Sequence, residues 1–198
     1  GMKFINSGPL PDNLRIKEPL DGWPNNQPLP ISESKADTTV IPDAELKQLQ
    51  SRGTQKRQLD RIAGRSAAYK LLKKEGIATS IINNKDGRPI LTDTPEISIS
   101  ITHRNGVGIA TLSRNGEVGI DEENIELRSD AFLQQWFTSD ERFLCHKNSF
   151  QQTLIWCMKE AVSKALGKGL TLSTLDIEII SIFQKTCLVC LKRTALDI

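Results

Sequence analysis

The sequence has no apolar run long enough to cross a bilayer, only two histidines (His103 and His146), one tyrosine and 5% aromatic residues. Each shortage excludes something. Without a hydrophobic stretch of about 20 residues no membrane helix is expected, and with two histidines no multi-histidine metal site can form. A net charge of +2 is too small for nucleic-acid binding by the field of the whole chain. Four cysteines in a chain without an export signal point to free thiols. The CxxC of TCLVCLK, Cys187 to Cys190, reads as a strand, and residues three apart on a strand face opposite sides, so no shared metal or redox disulfide is expected there. Gly1 before Met2 reads as an expression remnant. No basic stretch followed by an apolar one marks export, so a cytoplasmic protein is expected.

What is present is ordinary globular composition, 38% hydrophobic and 25% charged over 198 residues, enough for one mid-sized domain or two small lobes. Seven prolines (Pro9, Pro11, Pro19, Pro24, Pro28, Pro30 and Pro42) crowd the first 42 residues, which read as extended strand and loop wrapping a lobe. From Asp43 the pattern turns helical, first as DAELKQLQ and then over Lys56 to Glu75, where Gly76 closes the helix. Asn83 to Gly87 is turn chemistry. EISISI, VGIATL after Asn105-Gly106, and EVGIDEE after Asn115-Gly116 predict a three-stranded antiparallel meander.

The second half repeats the order of the first. PDAE at 42–45 stands 20 residues before Arg65 in GRSAAYKLLKKEG, and TSDE at 138–141 stands 19 residues before Glu160 in KEAVSKALGKG. The repeat predicts an α+β protein of two similar lobes, each a small antiparallel sheet packed against a long helix in a pseudo-two-fold arrangement, with lobes at 1–95 and 96–198.

Three groups of side chains carry candidate chemistry. In VGIDEE, strand alternation sends Asp121 and Glu123 to one face, about 7 Å apart, and Glu122 to the other. Paired carboxylates repel unless a cation or proton joins them, and hard oxygen ligands suit Mg²⁺, although a solvated strand end carries the same letters. On the helix from Gln152 to Leu166, Leu154, Ile155, Met158, Ala161, Val162, Ala165 and Leu166 form the core stripe. Trp156, Glu160 and Lys164, at i, i+4 and i+8, share the side away from it, which predicts a second contact surface. Arg57, Arg61 and Arg65 form a ridge on the first long helix, where a phosphate would relieve their repulsion, and Gly64 between them suggests close packing or ligand approach. Arg88 in DGRP and His103 at a strand end are further phosphate candidates.

Taken in order, KRQLDRIAGRSAAYKLL, DGRPIL, SISITHR, VGIDEE, FTSDE and WCMKEAVSKALGKGL resemble the motifs of the 4′-phosphopantetheinyl transferase family, specifically the monomeric surfactin-synthetase-activating type, over about residues 40–180. The resemblance implies an enzyme that moves the 4′-phosphopantetheine arm of coenzyme A onto a serine of an apo acyl or peptidyl carrier protein. It implies Mg²⁺ on Asp121, Glu123 and Glu160, catalytic roles for Glu160, Lys164 and Asp121, and Glu160 as general base. Coenzyme A would be held by Lys56 or Arg57 together with His103 at the 3′-phosphate, and by Arg88, Thr102 and Lys164; Arg61 and Arg65 stay open as alternative 3′-phosphate ligands. The chain departs from the family at Arg88, where lysine is usual, at Glu122, often apolar, and in its Pro-rich N-terminus. The competing readings are a catalytically degenerate module that binds coenzyme A or a carrier, and another Mg²⁺-dependent phosphoryl-transfer enzyme.

Overall fold

The structure is a computed structural model and describes residues 4–5, 29–167, 173–183 and 186–191. It is α+β, with small, mostly antiparallel sheets and several helices. Contacts divide it into two units, one built on Leu29–Glu123 with Glu160–Gly169, the other on Asn124–Lys159 with the C-terminal strands. The expected division at residue 95 falls inside the first of these, where the strand Ile31–Lys35 on one side of it pairs with the strand Val107–Ser113 on the other.

Strand β1 is the short Phe4–Ile5 and belongs to the second unit. In the first unit the strands are β2 (Ile31–Lys35), β3 (Ile81–Asn83), β4 (Pro89–Leu91), β5 (Ser98–Arg104) and β6 (Val107–Ser113), and the helices are α1 (Asp43–Gln50) and α2 (Gln55–Lys74). The β5–β6 hairpin turns at Asn105-Gly106, both at positive φ (51° and 79°), the conformation such an Asn-Gly pair favours and one that matches strand twist. β2, from the Pro-rich region, adds on the far side of β6, giving the order β2-β6-β5. Helix α2 begins at Thr54, whose hydroxyl accepts the Arg57 N–H, and packs its small residues on the sheet. A Cβ at Gly108 would fall on the backbone of Ala63, and one at Gly64 would press on Ile101 and His103. Close approach of helix to sheet is therefore what both glycines provide. Ala67, Ala68, Leu71 and Leu72 meet Ile97, Ile99, Ala110 and Leu112 in the core.

The third strand of the expected meander does not form: residues 117–129 belong to no sheet. The cause lies in β5. Ser98, Ser100 and Thr102 alternate with Ile99 and Ile101, so hydroxyls line the face opposite α2. Val118 and Ile120 donate their N–H groups to the Ser98 and Ser100 Oγ atoms, both at 3.1 Å, and this carries the segment across the face of the sheet instead of along its edge.

In the second unit lie α3 (Asp130–Trp136), α4 (Ser139–Cys145), residues 149–159 of α5 (Ser149–Leu166), and the antiparallel pair β7 (Ile177–Phe183) and β8 (Thr186–Leu191), with β1 parallel to β8. TCLVCL is a strand, as read; its cysteine side chains lie outside the described residues. Thr138 and Glu141 form a capping box at the start of α4. Glu141, fully buried, also accepts the Ile179 N–H at 2.9 Å and pairs with the fully buried Lys159. Glu45 at the start of α1 does the same work in the first unit, pairing with Arg65 at 2.8 Å and accepting the Tyr69 hydroxyl, which in turn accepts the Ile81 N–H. Each unit thus ties a short helix to a long one through a glutamate and a cation. The ion pairs match Arg65 with Lys159 rather than with Glu160. Trp156, on the side expected to form a second contact surface, meets Phe132 edge-on at 4.9 Å between ring centroids and Trp136 at 6.1 Å. Its neighbours are the aromatics of α3. No described helix is long and apolar enough to cross a membrane.

Candidate functional site

The first unit brings Asp121, Glu123, Glu160 and Lys164 together. The segment 117–123 reaches α5 through Gly119: a Cβ there would land on the Ala161 carbonyl, so only glycine lets the chain lie on the helix one turn from Glu160 and Lys164. Thr102 Oγ1 donates to Asp121 Oδ1 at 3.3 Å, and Lys164 Nζ donates to the same oxygen at 2.7 Å and to the Ile120 carbonyl at 3.0 Å. The Asp121 side chain is 8% exposed. Its other oxygen, Oδ2, is buried without a hydrogen-bond partner, as is Glu122 Oε2. Glu123 is paired with Arg104.

Glu160 is half-buried. Burial first, and then the negative charge of Asp121, raises its carboxyl above the ordinary glutamate range; Lys164 pulls the other way and Glu123 adds to the rise. A glutamate with raised proton affinity, next to an acid with an orphaned oxygen, has the chemistry of a proton acceptor or of a hard-cation ligand. Among the described residues no group of three acids or histidines already converges as a metal cluster. The two ligand candidates on the segment are engaged by cations, Asp121 by Lys164 and Glu123 by Arg104. The orphaned Asp121 oxygen and the crowding of carboxylates around Glu160 nonetheless fit a divalent cation in donor chemistry.

The remaining expected ligands separate. Thr102 and His103 are neighbours on β5 and face opposite ways: Thr102 is buried against Asp121, whereas the His103 ring lies over Gly64 of α2. His103 is exposed as a residue, yet partial burial holds its pKa below the ordinary histidine value, against the pull of Asp60 and with help from Lys164 and Arg61. The arginine ridge of α2 is largely spent inside the fold. Arg65 is buried on Glu45 and Asn83, and Arg61 donates to the carbonyls of Leu49 and Arg52. Lys56 and Arg57, exposed in the first turn of α2, have no such ties among their described contacts. Arg88 pairs with Glu117 and donates to Ser98 Oγ at 3.0 Å.

Residues 117–197 match the model of the 4′-phosphopantetheinyl transferase superfamily. In that stretch the chain is similar to the 4′-phosphopantetheinyl transferase superfamily. That match spans the acidic segment and α5, so Asp121, Glu123, Glu160 and Lys164 all lie within it. No curated protein matches the chain. Residues of this site that sequence reasoning missed are Ser98, Ser100 and Arg104, which share one face of β5 with Thr102 at intervals of two. The alternation in SISITHR was the available signal.

Proposed function

We propose that the protein transfers the 4′-phosphopantetheine arm of coenzyme A to the serine of an apo acyl or peptidyl carrier protein, releasing adenosine 3′,5′-bisphosphate. The observation that carries this reading is the raised Glu160 carboxyl beside Asp121, with Lys164 bridging the segment and the helix, all inside the stretch similar to the superfamily. In the transfer, the serine oxygen forms a bond to the β-phosphorus and the bond from that phosphorus to the bisphosphate oxygen breaks. Glu160 takes the serine proton, for which its raised proton affinity suits it. Asp121, Glu123 and Glu160 are the residues that would hold Mg²⁺, which when bound stabilises charge on the pyrophosphate. Lys164 supplies a cation next to that position, able to exchange Asp121 for a phosphate oxygen.

On the nucleotide side, Lys56 and Arg57 are better placed for the 3′-phosphate than Arg61 and Arg65, whose guanidinium groups are already used within the fold. His103 and Arg88 complete the coenzyme A contacts in this reading, and Thr102 acts through Asp121. The protein is taken as a cytoplasmic monomer of two similar lobes. Supplying coenzyme A, Mg²⁺ and apo carriers of the acyl and peptidyl classes should yield adenosine 3′,5′-bisphosphate, measured by chromatography, only when a carrier is present. Absence of that product with every carrier class rejects the proposal.

A further inference from the structure

Arg104 is the fourth member of the polar row on β5. Ser98, Ser100, Thr102 and Arg104 follow one another at intervals of two, and each meets the acidic segment: Val118 N–H on Ser98, Ile120 N–H on Ser100, Asp121 on Thr102 and Glu123 on Arg104. The first three contacts position backbone and side chain through neutral hydroxyls. The fourth is different, because a guanidinium takes the carboxylate that the transferase reading assigns to the cation. The Arg104 side chain is 33% exposed and Glu123 is 15% exposed, so the pair opens to solvent on the arginine side. A guanidinium there can swing into solvent once a cation takes over Glu123, and its planar fork suits phosphate oxygens as well as carboxylate oxygens.

We propose that Arg104 is a resident counter-cation of the acidic segment: it competes with the divalent cation for Glu123, and once displaced it pairs with a phosphate of the coenzyme A substrate. The inference rests on the transfer reading above. Arg104 thereby sets how tightly the cation binds before the substrate arrives and couples the two binding events. Lys164 on Asp121 stands in the same relation, so Asp121 and Glu123 are both charge-balanced from the outset. This favours a site in which cation and phosphate enter together.

The test uses the full chain with Mn²⁺ as the probe, its binding followed by electron paramagnetic resonance with and without coenzyme A. Arg104→Gln should bind Mn²⁺ about three- to tenfold more tightly without coenzyme A, the range set by a partly exposed ion pair. On the Mn²⁺-loaded protein it should bind coenzyme A roughly tenfold more weakly. Arg104→Lys, which keeps the charge, should return Mn²⁺ affinity to near the wild-type value and recover only part of the coenzyme A affinity. A melting curve for each variant checks folding, and the lysine variant preserves the comparison if the glutamine variant does not fold. Unchanged or weakened Mn²⁺ binding in Arg104→Gln, or unchanged coenzyme A binding, overturns the inference. If the wild-type chain releases adenosine 3′,5′-bisphosphate while Arg104→Gln fails either arm, only this inference falls. A wild-type chain that neither binds Mn²⁺ nor releases the product rejects the transfer reading and this inference with it.

Discussion

Replacing Gly119 with alanine would put a methyl group onto the Ala161 carbonyl, with the Ala161 carbonyl carbon at 2.8 Å and the Ala165 nitrogen at 2.9 Å. All three atoms are helix backbone and cannot rotate away, so the segment must lift from α5. Forced displacement of this kind costs about 1–3 kcal/mol. Catalysis should suffer more than stability, because Asp121 lies two residues farther on and its geometry against Glu160 and Lys164 depends on the same approach. A misplacement of about 1 Å costs on the order of 10²-fold in rate. Urea unfolding followed by circular dichroism reads the first effect, and the rate of adenosine 3′,5′-bisphosphate release reads the second. Ser100→Ala is the control for stability without the clash, since it strands the Ile120 N–H at a cost of about 1–3 kcal/mol. Gly119→Ala with wild-type midpoint and turnover would refute the argument that close packing of segment on helix builds the site.

Glu160→Gln should abolish transfer while retaining much of the affinity for coenzyme A, because the proposed nucleotide contacts lie on α2 and β5; a titration of coenzyme A binding beside the turnover assay checks it, and unchanged turnover removes Glu160 from the chemistry. Lys159→Met should destabilise the protein by about 3–5 kcal/mol by leaving Glu141 buried and uncompensated. Glu141→Gln added to it should recover part of the loss in urea unfolding, and a harmless single variant would contradict the buried pair. The Thr39 hydroxyl, and then Lys70, hold the Asp37 carboxyl down to about 2, against an ordinary value of 3.8. A depressed folded-state value means the contribution of Asp37 to stability is complete above its unfolded value and disappears as the pH falls from there through about 2. An NMR titration of Asp37 should show the low midpoint, with Thr39→Val moving it upward; an ordinary midpoint in the wild type would contradict the contact.

Local chemistry was legible where it is self-contained. Asn105-Gly106 names its own turn, and Thr-Ser-Asp-Glu names its own helix start, because the partners lie within a few residues. The acidic segment shows where such reading stops. Its alternation is that of an extended chain, but nothing within VGIDEE says whether its N–H groups meet a neighbouring backbone or the hydroxyls of Ser98 and Ser100. The arginine ridge of α2 looked like an anion site because the pattern displays charges on one helix and conceals Glu45, which arrives from α1 to bury Arg65. The second contact surface expected at Trp156 names no partner for the same reason, since Phe132 and Trp136 lie on another helix. Glu160 and Lys164, by contrast, were visible as a pair because one helical turn separates them, and Gly119 explains how Asp121 reaches them.

The central claim is that these residues serve phosphopantetheine transfer, and the mass of the carrier protein tests it most directly. After incubation with the purified chain, coenzyme A and Mg²⁺, an apo acyl or peptidyl carrier should gain the mass of one phosphopantetheine on its serine, and should gain none with Asp121→Asn or without Mg²⁺. Carriers of every class emerging unmodified from incubation with the folded wild-type protein would contradict the account.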